Sequence, residues 1–369
     1  MNRSLRIGSV AGIGIFLHWT FLLLVAGLAA FLYYQGESLS TTLHIMGLMG
    51  GLFGCVVLHE LGHALTAKFF SVPTKSITLY PIGGLARLER LPEEPIKEFW
   101  IAVAGPLVNI VIAILLAIGL AVTGTTMDIG AAYTINAHAG ATLMWLNIGL
   151  AMFNMLPAFP MDGGRVLRAL LAIRYDYAQA TQTAARVGQA MAVAFGLIGI
   201  IGFNFILLFI ALFVYIGAQQ ESQHATFRAA ARDTPVREAM MTRFGILTPD
   251  STLGDAVDEL LAGTDHDFPV VEQGRVRGIL SRKQLIEGLR TYGRDHRVAE
   301  VVTAPCPTVT PGMMLDEAFQ TMQQSEYSTI PVVEDGALVG LLSLENVGEL
   351  LMVRSALKHP DQPSVRPLQ

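Results

Sequence analysis

Val56-Val57-Leu58-His59-Glu60-Leu61-Gly62-His63-Ala64 lies inside an apolar run from about Thr42 to Phe70, long enough to cross a bilayer as a helix. Two histidines and a glutamate are costly in hydrocarbon and call for a chemical reason. Spaced i and i+4, His59 and His63 share a helix face and can hold one metal ion between them. Glu60 follows directly, where its carboxylate can act as general base toward a water at that ion. The competing reading is a pair of packing histidines hydrogen-bonded to neighbouring helices. The spacing and the membrane setting favour the metal.

Composition supports that setting. Of 369 residues, 52% are hydrophobic and 15% charged, so an integral membrane protein is the expectation. A net charge of −5 is too mild to point to nucleic acid. Cys55 and Cys306 lie in chemically different regions, and no disulfide framework follows from them. Arg3 and Arg6 ahead of an apolar stretch imitate a signal peptide, but the run continues to Tyr34 and reads as an uncleaved first helix.

Six apolar segments stand out, at about 13–34, 42–70, 98–122, 134–157, 185–201 and 203–218. The last two are short and meet at Gly202 as a tight helical hairpin, or form one long bent segment in a five-helix count. With six spans, Lys75, Arg87, Arg90, Lys97, Arg165, Arg168 and Arg174 fall on one side. The opposite loops, near 35–41, 123–133 and 202, hold no Lys or Arg. The positive-inside rule then puts the N-terminus and the C-terminal half in the cytosol of a multi-pass protein of the cell's inner (plasma) membrane.

Two loops on that inner side are unusual. Ile77 to Leu88 is apolar, too short to span and broken by Pro81, Gly83 and Gly84, which favours an extended hairpin or re-entrant loop over a helix. Such backbone survives at membrane depth where it lines a cavity, and its extended edge can pair with an unwound substrate strand; the alternative is an amphipathic surface loop. The second loop, Asn154 to Gly164, carries Pro157, Pro160, Gly163 and Gly164 and unwinds the end of the fourth span. A catalytic zinc takes three protein ligands and keeps a fourth position open, so two histidines leave one ligand to find. Asp162 fits best by side, burial and chemistry, against a reading as a helix cap. The Asn154 amide can donate to a developing oxyanion or substrate carbonyl, or bond between helices. Cys55, one turn before His59, reads as a small buried side chain rather than a further ligand, and His18 as an interfacial residue.

His59-Glu60-x-x-His63, Pro81-Ile82-Gly83-Gly84, Ala104-Gly105-Pro106 and Asn154-x-x-Pro157-x-x-Pro160-x-Asp162-Gly163 together resemble the site-2 protease family of intramembrane zinc metalloproteases, peptidase family M50, over about residues 10 to 218. The resemblance implies that His59, His63 and Asp162 bind one catalytic zinc, that Glu60 activates water, and that a transmembrane segment of another protein is cut. Met161 stands where the family commonly has Leu.

Beyond Gly217 the composition turns polar, and the chain then repeats itself at a constant offset of 62 residues. Pro269-Val270-Val271-Glu272 matches Pro331-Val332-Val333-Glu334, and Gly278-Ile279-Leu280-Ser281 matches Gly340-Leu341-Leu342-Ser343, without a gap. Each copy reads as helix, strand, Gly turn, strand and helix. These pairs resemble the CBS domain, which implies a tandem α/β pair that often binds adenine nucleotide, with Ser281 and Ser343 as contacts. The family's usual aspartate three residues later is replaced by Gln284 and Asn346, which leaves a dimerising or substrate-docking pair as the other reading.

The expected organisation is therefore a polytopic α-helical membrane domain over residues 1–220, a linker over 221–233, CBS domains over 234–292 and 296–356, and a loose tail over 357–369. The expected activity is regulated intramembrane proteolysis of a transmembrane protein substrate within the lipid bilayer, governed by the CBS pair, through which a homodimer can form. The rival is a CBS-gated transporter or channel, which calls for acids spread along several spans; here they concentrate at Glu60 and Asp162.

Overall fold

The computed structural model describes residues 4–72, 74–81, 83–88, 94–132, 138–232, 234–263, 266–302, 306–325 and 327–358. The tail expected over 357–369 lies outside them from residue 359, as do Ile82 and Arg90. The chain divides into two compact units, Met1–Ala225 and Thr226–Gln369.

The first unit begins with strands. Ala11 and Gly12 take φ of 51° and 86°, the two-residue turn whose twist suits a hairpin, and join β1 (Ser4–Val10) to β2 (Ile13–His18). Helices α1 (Trp19–Tyr34) and α2 (Leu39–Phe69) then supply the crossover that a parallel pairing requires. The chain returns as β3 (Thr74–Tyr80), parallel to β2 from Gly14↔Ser76 to Leu17↔Leu79, and β4 (Gly83–Leu88) closes a hairpin on it. The sheet order is β1-β2-β3-β4, so β4 is an edge. Ile13 and Ile77 pack on Leu61 and Ala64, which fixes the sheet against the end of α2 that carries the histidines.

After α3 (Pro95–Val122) come α4 (Ile129–Ala132), α5 (Ala139–Asn154), α6 (Asp162–Ala172), α7 (Tyr177–Ile201) and α8 (Phe205–Arg232). Among the described residues, α2, α3, α7 and α8 are long and apolar enough to cross a membrane. Leu107, Ile110, Val111, Ile114, Leu115 and Ile118 of α3 stay exposed, as a lipid-facing surface requires.

Several boundaries differ from the sequence expectation. The segment expected as a span from residue 13 is strand up to His18, and α1 proper has 16 residues, as has α5. At 1.5 Å per residue each reaches about 24 Å, short of a full hydrocarbon crossing. Of the six expected spans, four are helices of full crossing length, and α1 and α5 are shorter helices in the places of the other two. The segment expected from 185 starts at Tyr177, because its polar, Ala-rich first turns are good helix formers and the Asp176 carboxylate accepts from Gln179 N at 3.0 Å. It is neither short nor fused to the next: Gly202, Phe203 and Asn204 separate α7 from α8, which runs on to Arg232. Of the segment over 77–88, the described residues form the antiparallel β3–β4 pair of the sheet, which bears out an extended conformation there.

A buried charge cluster ties the helices together. Arg168 on α6 is 1% exposed and donates to Glu98 Oε1 on α3 from Nε (2.8 Å) and Nη2 (2.5 Å), and to Glu221 on α8 from Nη1. Its guanidinium also stacks over Phe159 and Tyr177, at 5.0 and 4.9 Å from the ring centroids.

The second unit is built twice over. The first copy holds α9 (Leu253–Ala262), β5 (Asp267–Glu272), β6 (Arg275–Ser281) and α10 (Arg282–Tyr292). The second holds α11 (Leu315–Gln324), β7 (Thr329–Glu334), β8 (Ala337–Ser343) and α12 (Leu344–Lys358). The hairpin turns match, with positive φ at Gln273-Gly274 and Asp335-Gly336 and a bulge at Val270/Val271 and Val332/Val333. The cores are exchanged: Val236 and Ala239, which lead into the first copy, are buried with Leu315, Ile330 and Leu342 of the second. Val298, which leads into the second copy, is buried with Leu253, Phe268 and Leu280 of the first. Arg354 of α12 fastens the leading segment by donating to Thr234 and pairing with Glu238.

Removing one partner of a buried ion pair leaves an uncompensated charge. Arg168→Leu is expected to destabilise the first unit by about 3–5 kcal/mol, read as a fall in Tm in detergent. Adding Glu98→Gln is expected to restore part of that loss.

Candidate metal centre

Small residues decide how closely the helices around the two histidines approach. A Cβ on Gly62 would stand 2.9 Å from the Ala104 carbonyl oxygen and 2.8 Å from Val108 Cγ2, so α2 and α3 touch backbone to side chain at this level. One step along α3, Gly105 faces the rings themselves: a Cβ there would fall on His63 Nε2 and stand 2.8 Å from His59 Cε1. Each ring is held from behind. His63 Nδ1 is 2.6 Å from the Ile101 carbonyl oxygen, and His59 Nδ1 is 2.5 Å from Asn109 Oδ1. Both Nε2 atoms are therefore turned forward, 3.1 Å apart.

Asp162 reaches them from α6 through the loop over residues 155–161. That loop folds back so tightly on the start of α6 that a Cβ on Gly163 would overlap the Met155 and Leu156 carbonyls, and one on Gly164 would come within 2.7 Å of the Ala158 backbone. Phe159, 1% exposed, anchors the loop from below, and Gly217 on α8 leaves room for Pro160. The Phe159–Pro160 peptide is cis. Asp162 Oδ2 then lies 3.2 Å from His59 Nε2 and 3.1 Å from His63 Nε2. All three side chains are buried, at 5, 5 and 8% exposure.

Three donors at these separations fit a zinc ion. Ligands at about 2.0–2.1 Å in a tetrahedron lie about 3.3 Å from one another, close to the observed edges. The chemistry also fits, since two imidazole nitrogens and a carboxylate oxygen converge at one buried point, a donor set that suits a divalent cation. His59, His63 and Asp162 are the three-residue cluster of metal-binding type found among the described residues. Three such donors would leave one tetrahedral position open, the arrangement of catalytic rather than structural zinc.

The other singled-out residues are distributed as follows. Glu60 is partly buried on α2, directly after His59 in the chain. Asn154 ends α5, partly buried, and its amide nitrogen donates to the Leu150 carbonyl at 3.0 Å, a bond within its own helix. Cys55 does not join the cluster; its sulfur accepts from Asn147 Nδ2 at 3.3 Å. His18 caps α1 through Nδ1, 3.4 Å from Thr20 N, and packs against Tyr80. Gly105, which stands in the Ala104-Gly105-Pro106 motif without a role assigned from sequence, abuts both rings, and Asn109 and Asn147, which lie behind His59, have no spacing in the sequence to mark them.

In the second unit, Ser281 and Ser343 cap helices. The Ser281 hydroxyl accepts from Gln284 N at 3.3 Å and donates to Gln284 Oε1 at 3.0 Å. Ser343 makes the same pair of bonds with Asn346. Ser343 and Asn346 also line a cavity of about 800 Å³ with Asp267, Thr329, Glu345 and Glu349.

The sequence profile of peptidase family M50 matches residues 47–142 and 131–195, and that of the CBS domain matches 236–291 and 298–352. A zinc metalloprotease of Methanocaldococcus jannaschii is 34% identical over 348 residues, covering 94% of this chain and 96% of the relative. Stage IV sporulation protein FB of Bacillus subtilis is 31% identical over 126 residues, 34% of this chain and 40% of that protein. A solved site-2 protease from Methanocaldococcus jannaschii, 41% identical, covers 59% of this chain and 95% of its own, with a TM-score of 0.44.

If Gly105 is what leaves room for the rings, Gly105→Ala purified from zinc-supplemented medium is expected to carry well under one zinc per chain by metal analysis. Gly119→Ala on the same helix, where an added Cβ meets nothing within 4 Å, is expected to keep the wild-type content. The spacing of the zinc-type ligands, the profile matches and the end-to-end likeness to a zinc metalloprotease agree: this chain belongs to peptidase family M50, as a metalloprotease of the site-2 protease type that carries a tandem pair of CBS domains.

Proposed function

We propose that this protein is a zinc-dependent endopeptidase that cuts peptide bonds within or near transmembrane segments of other membrane proteins, under the control of its CBS pair. The observation that carries the reading is the convergence of His59, His63 and Asp162 inside an apolar helical unit, with the histidines six and ten residues before the end of α2 at Phe69. At 1.5 Å per residue they sit about 9–15 Å from that helix end, deep enough to meet a membrane-embedded substrate yet close enough for water to enter.

His59, His63 and Asp162 are the residues that would hold the ion, with His59 Nε2, His63 Nε2 and Asp162 Oδ2 facing one another. When bound, zinc supplies Lewis acidity toward water and toward the scissile carbonyl. Glu60 takes the proton from the attacking water and delivers it to the leaving amide nitrogen. The Asn154 amide swings from its bond to Leu150 to donate to the substrate carbonyl oxygen. A helical substrate conceals its carbonyls in its own hydrogen bonds, so it is cut only where it unwinds. As the outer strand of the described sheet, β4 offers an extended segment a strand to pair with.

With α1 and α5 counted as short crossings beside α2, α3, α7 and α8, the basic residues between α2 and α3 and between α5 and α7 share one side, which supports an N-terminus and a CBS pair facing the cytosol of the inner (plasma) membrane. The cavity bounded by Ser343, Asn346 and Asp267 is of nucleotide size, which supports an adenine nucleotide as the regulator. A homodimer through the CBS pair is part of the same reading.

In detergent with a model transmembrane substrate, Glu60→Gln is expected to lose about 10²–10⁴-fold in cleavage rate while keeping one zinc per chain. Wild-type cleavage is expected to stop on chelation and return with zinc. Cleavage by Glu60→Gln at the wild-type rate would remove the assigned base. Titration calorimetry of the full chain with ATP, ADP and AMP tests the regulator; absence of heat and of any thermal shift with all three would turn the pair from sensing to docking.

A further inference from the structure

Behind His59 stands a chain of buried amides that crosses three helices. His59 Nδ1 on α2 meets Asn109 Oδ1 on α3 at 2.5 Å. Asn109 Nδ2 donates to Asn147 Oδ1 on α5 at 2.8 Å. Asn147 Nδ2 donates to the Leu143 carbonyl at 2.8 Å and to Cys55 Sγ, back on α2, at 3.3 Å. Both asparagines are wholly buried, at 0% exposure.

The direction of every bond follows from the far end. An amide can in principle be turned either way, but a backbone carbonyl only accepts. Leu143 O therefore calls for the NH₂ group of Asn147, which turns Asn147 Oδ1 toward α3. That oxygen in turn calls for the NH₂ group of Asn109, which turns Asn109 Oδ1 toward the ring. Facing an oxygen that accepts only, His59 Nδ1 carries the hydrogen, and its lone pair for a metal lies on Nε2. His63 reaches the same state in one step, since the acceptor at its Nδ1 is the Ile101 carbonyl itself.

We infer that Asn109, oriented by Asn147, is a positioning residue for the metal centre: it sets His59 in the Nδ1–H tautomer and fixes the ring plane, so that Nε2 faces His63 Nε2 and Asp162 Oδ2. This rests on the zinc reading of the cluster. The pair supplies from a side chain on a second helix what His63 receives from the backbone. The two ligands therefore differ in how replaceable their support is, and the His59 side is the one that mutation can loosen. A packing role alone would require neither this order of donors and acceptors nor an acceptor aimed at Nδ1.

The test uses the full chain in detergent. Apparent zinc affinity is measured by chelator competition for wild type, Asn109→Leu, Asn109→Asp and Asn147→Leu, with Tm recorded for each. Asn109→Leu removes the acceptor and is expected to weaken zinc by about 10–100-fold. Asn109→Asp keeps an oxygen toward the ring and is expected to stay nearer to wild type than Asn109→Leu, although its second oxygen opposes Asn147 Oδ1. In zinc-loaded, ¹⁵N-histidine-labelled wild type, two slowly exchanging Nδ1–H resonances are expected from His59 and His63, with the His59 signal lost in Asn109→Leu. Unchanged zinc affinity in Asn109→Leu, equal losses in the Leu and Asp variants in proportion to their Tm, or coordination of His59 through Nδ1 would overturn the inference. Should Asn109→Leu not fold, the wild-type resonances and Asn147→Leu decide it. Wild type that binds no zinc at all would instead remove the reading on which it stands.

Discussion

Two imidazole nitrogens and a carboxylate oxygen lie within about 3 Å of each other in a buried place, and much of the first unit answers to that constraint. Lone pairs so arranged repel unless a cation or a shared proton joins them, and burial leaves the three groups little solvent to relieve that repulsion. The glycines follow from this. Gly62 lets α2 and α3 close, Gly105 leaves the space in front of the rings, and Gly163 and Gly164 let the proline loop lie flat on the start of α6. Each of these positions trades helix propensity for proximity. What the helices give up in local preference is offset by burial around the site.

Asp162 belongs to a short helix, and a short helix is a poor support unless something holds it. Arg168 does so from within α6. Its bonds to Glu98 and Glu221, and its stacking on Phe159 and Tyr177, fasten that helix to α3, α7 and α8 and to the loop just before it. Buried ion pairs are seldom efficient sources of stability, but they tolerate few alternative packings. Here that intolerance falls on the element whose first residue faces the two histidines.

How much of this was legible in the sequence depended on whether a residue's meaning is carried by spacing. His59 and His63 are one helical turn apart, so their shared face can be read without a structure; so can the internal repeat, since all its matches share one offset. Asp162 was reachable because a third ligand was required and acids near span ends are few. Asn109 and Asn147 were not, because each is a single polar residue whose partner lies on a different helix. The hairpin of β1 and β2 was hidden for another reason: its second strand runs directly into α1, and hydropathy alone does not mark where an apolar strand becomes an apolar helix. The early start of α7 shows the converse, a polar stretch that is helical on propensity and capping rather than on apolar period. The sheet's crossover and the exchanged cores of the second unit are matters of which distant segments meet, on which local pattern is silent.

That exchange bears on how the second unit can evolve and respond. Because Val236 completes the hydrophobic interior of the later copy and Val298 that of the earlier one, neither copy is a self-sufficient folding module. A lesion that loosens one half exposes apolar surface in the other, and truncation between them would leave two incomplete fragments rather than one intact domain. The same interlock makes the duplicated pair behave as a single thermodynamic body, so an influence felt at either copy is shared by both.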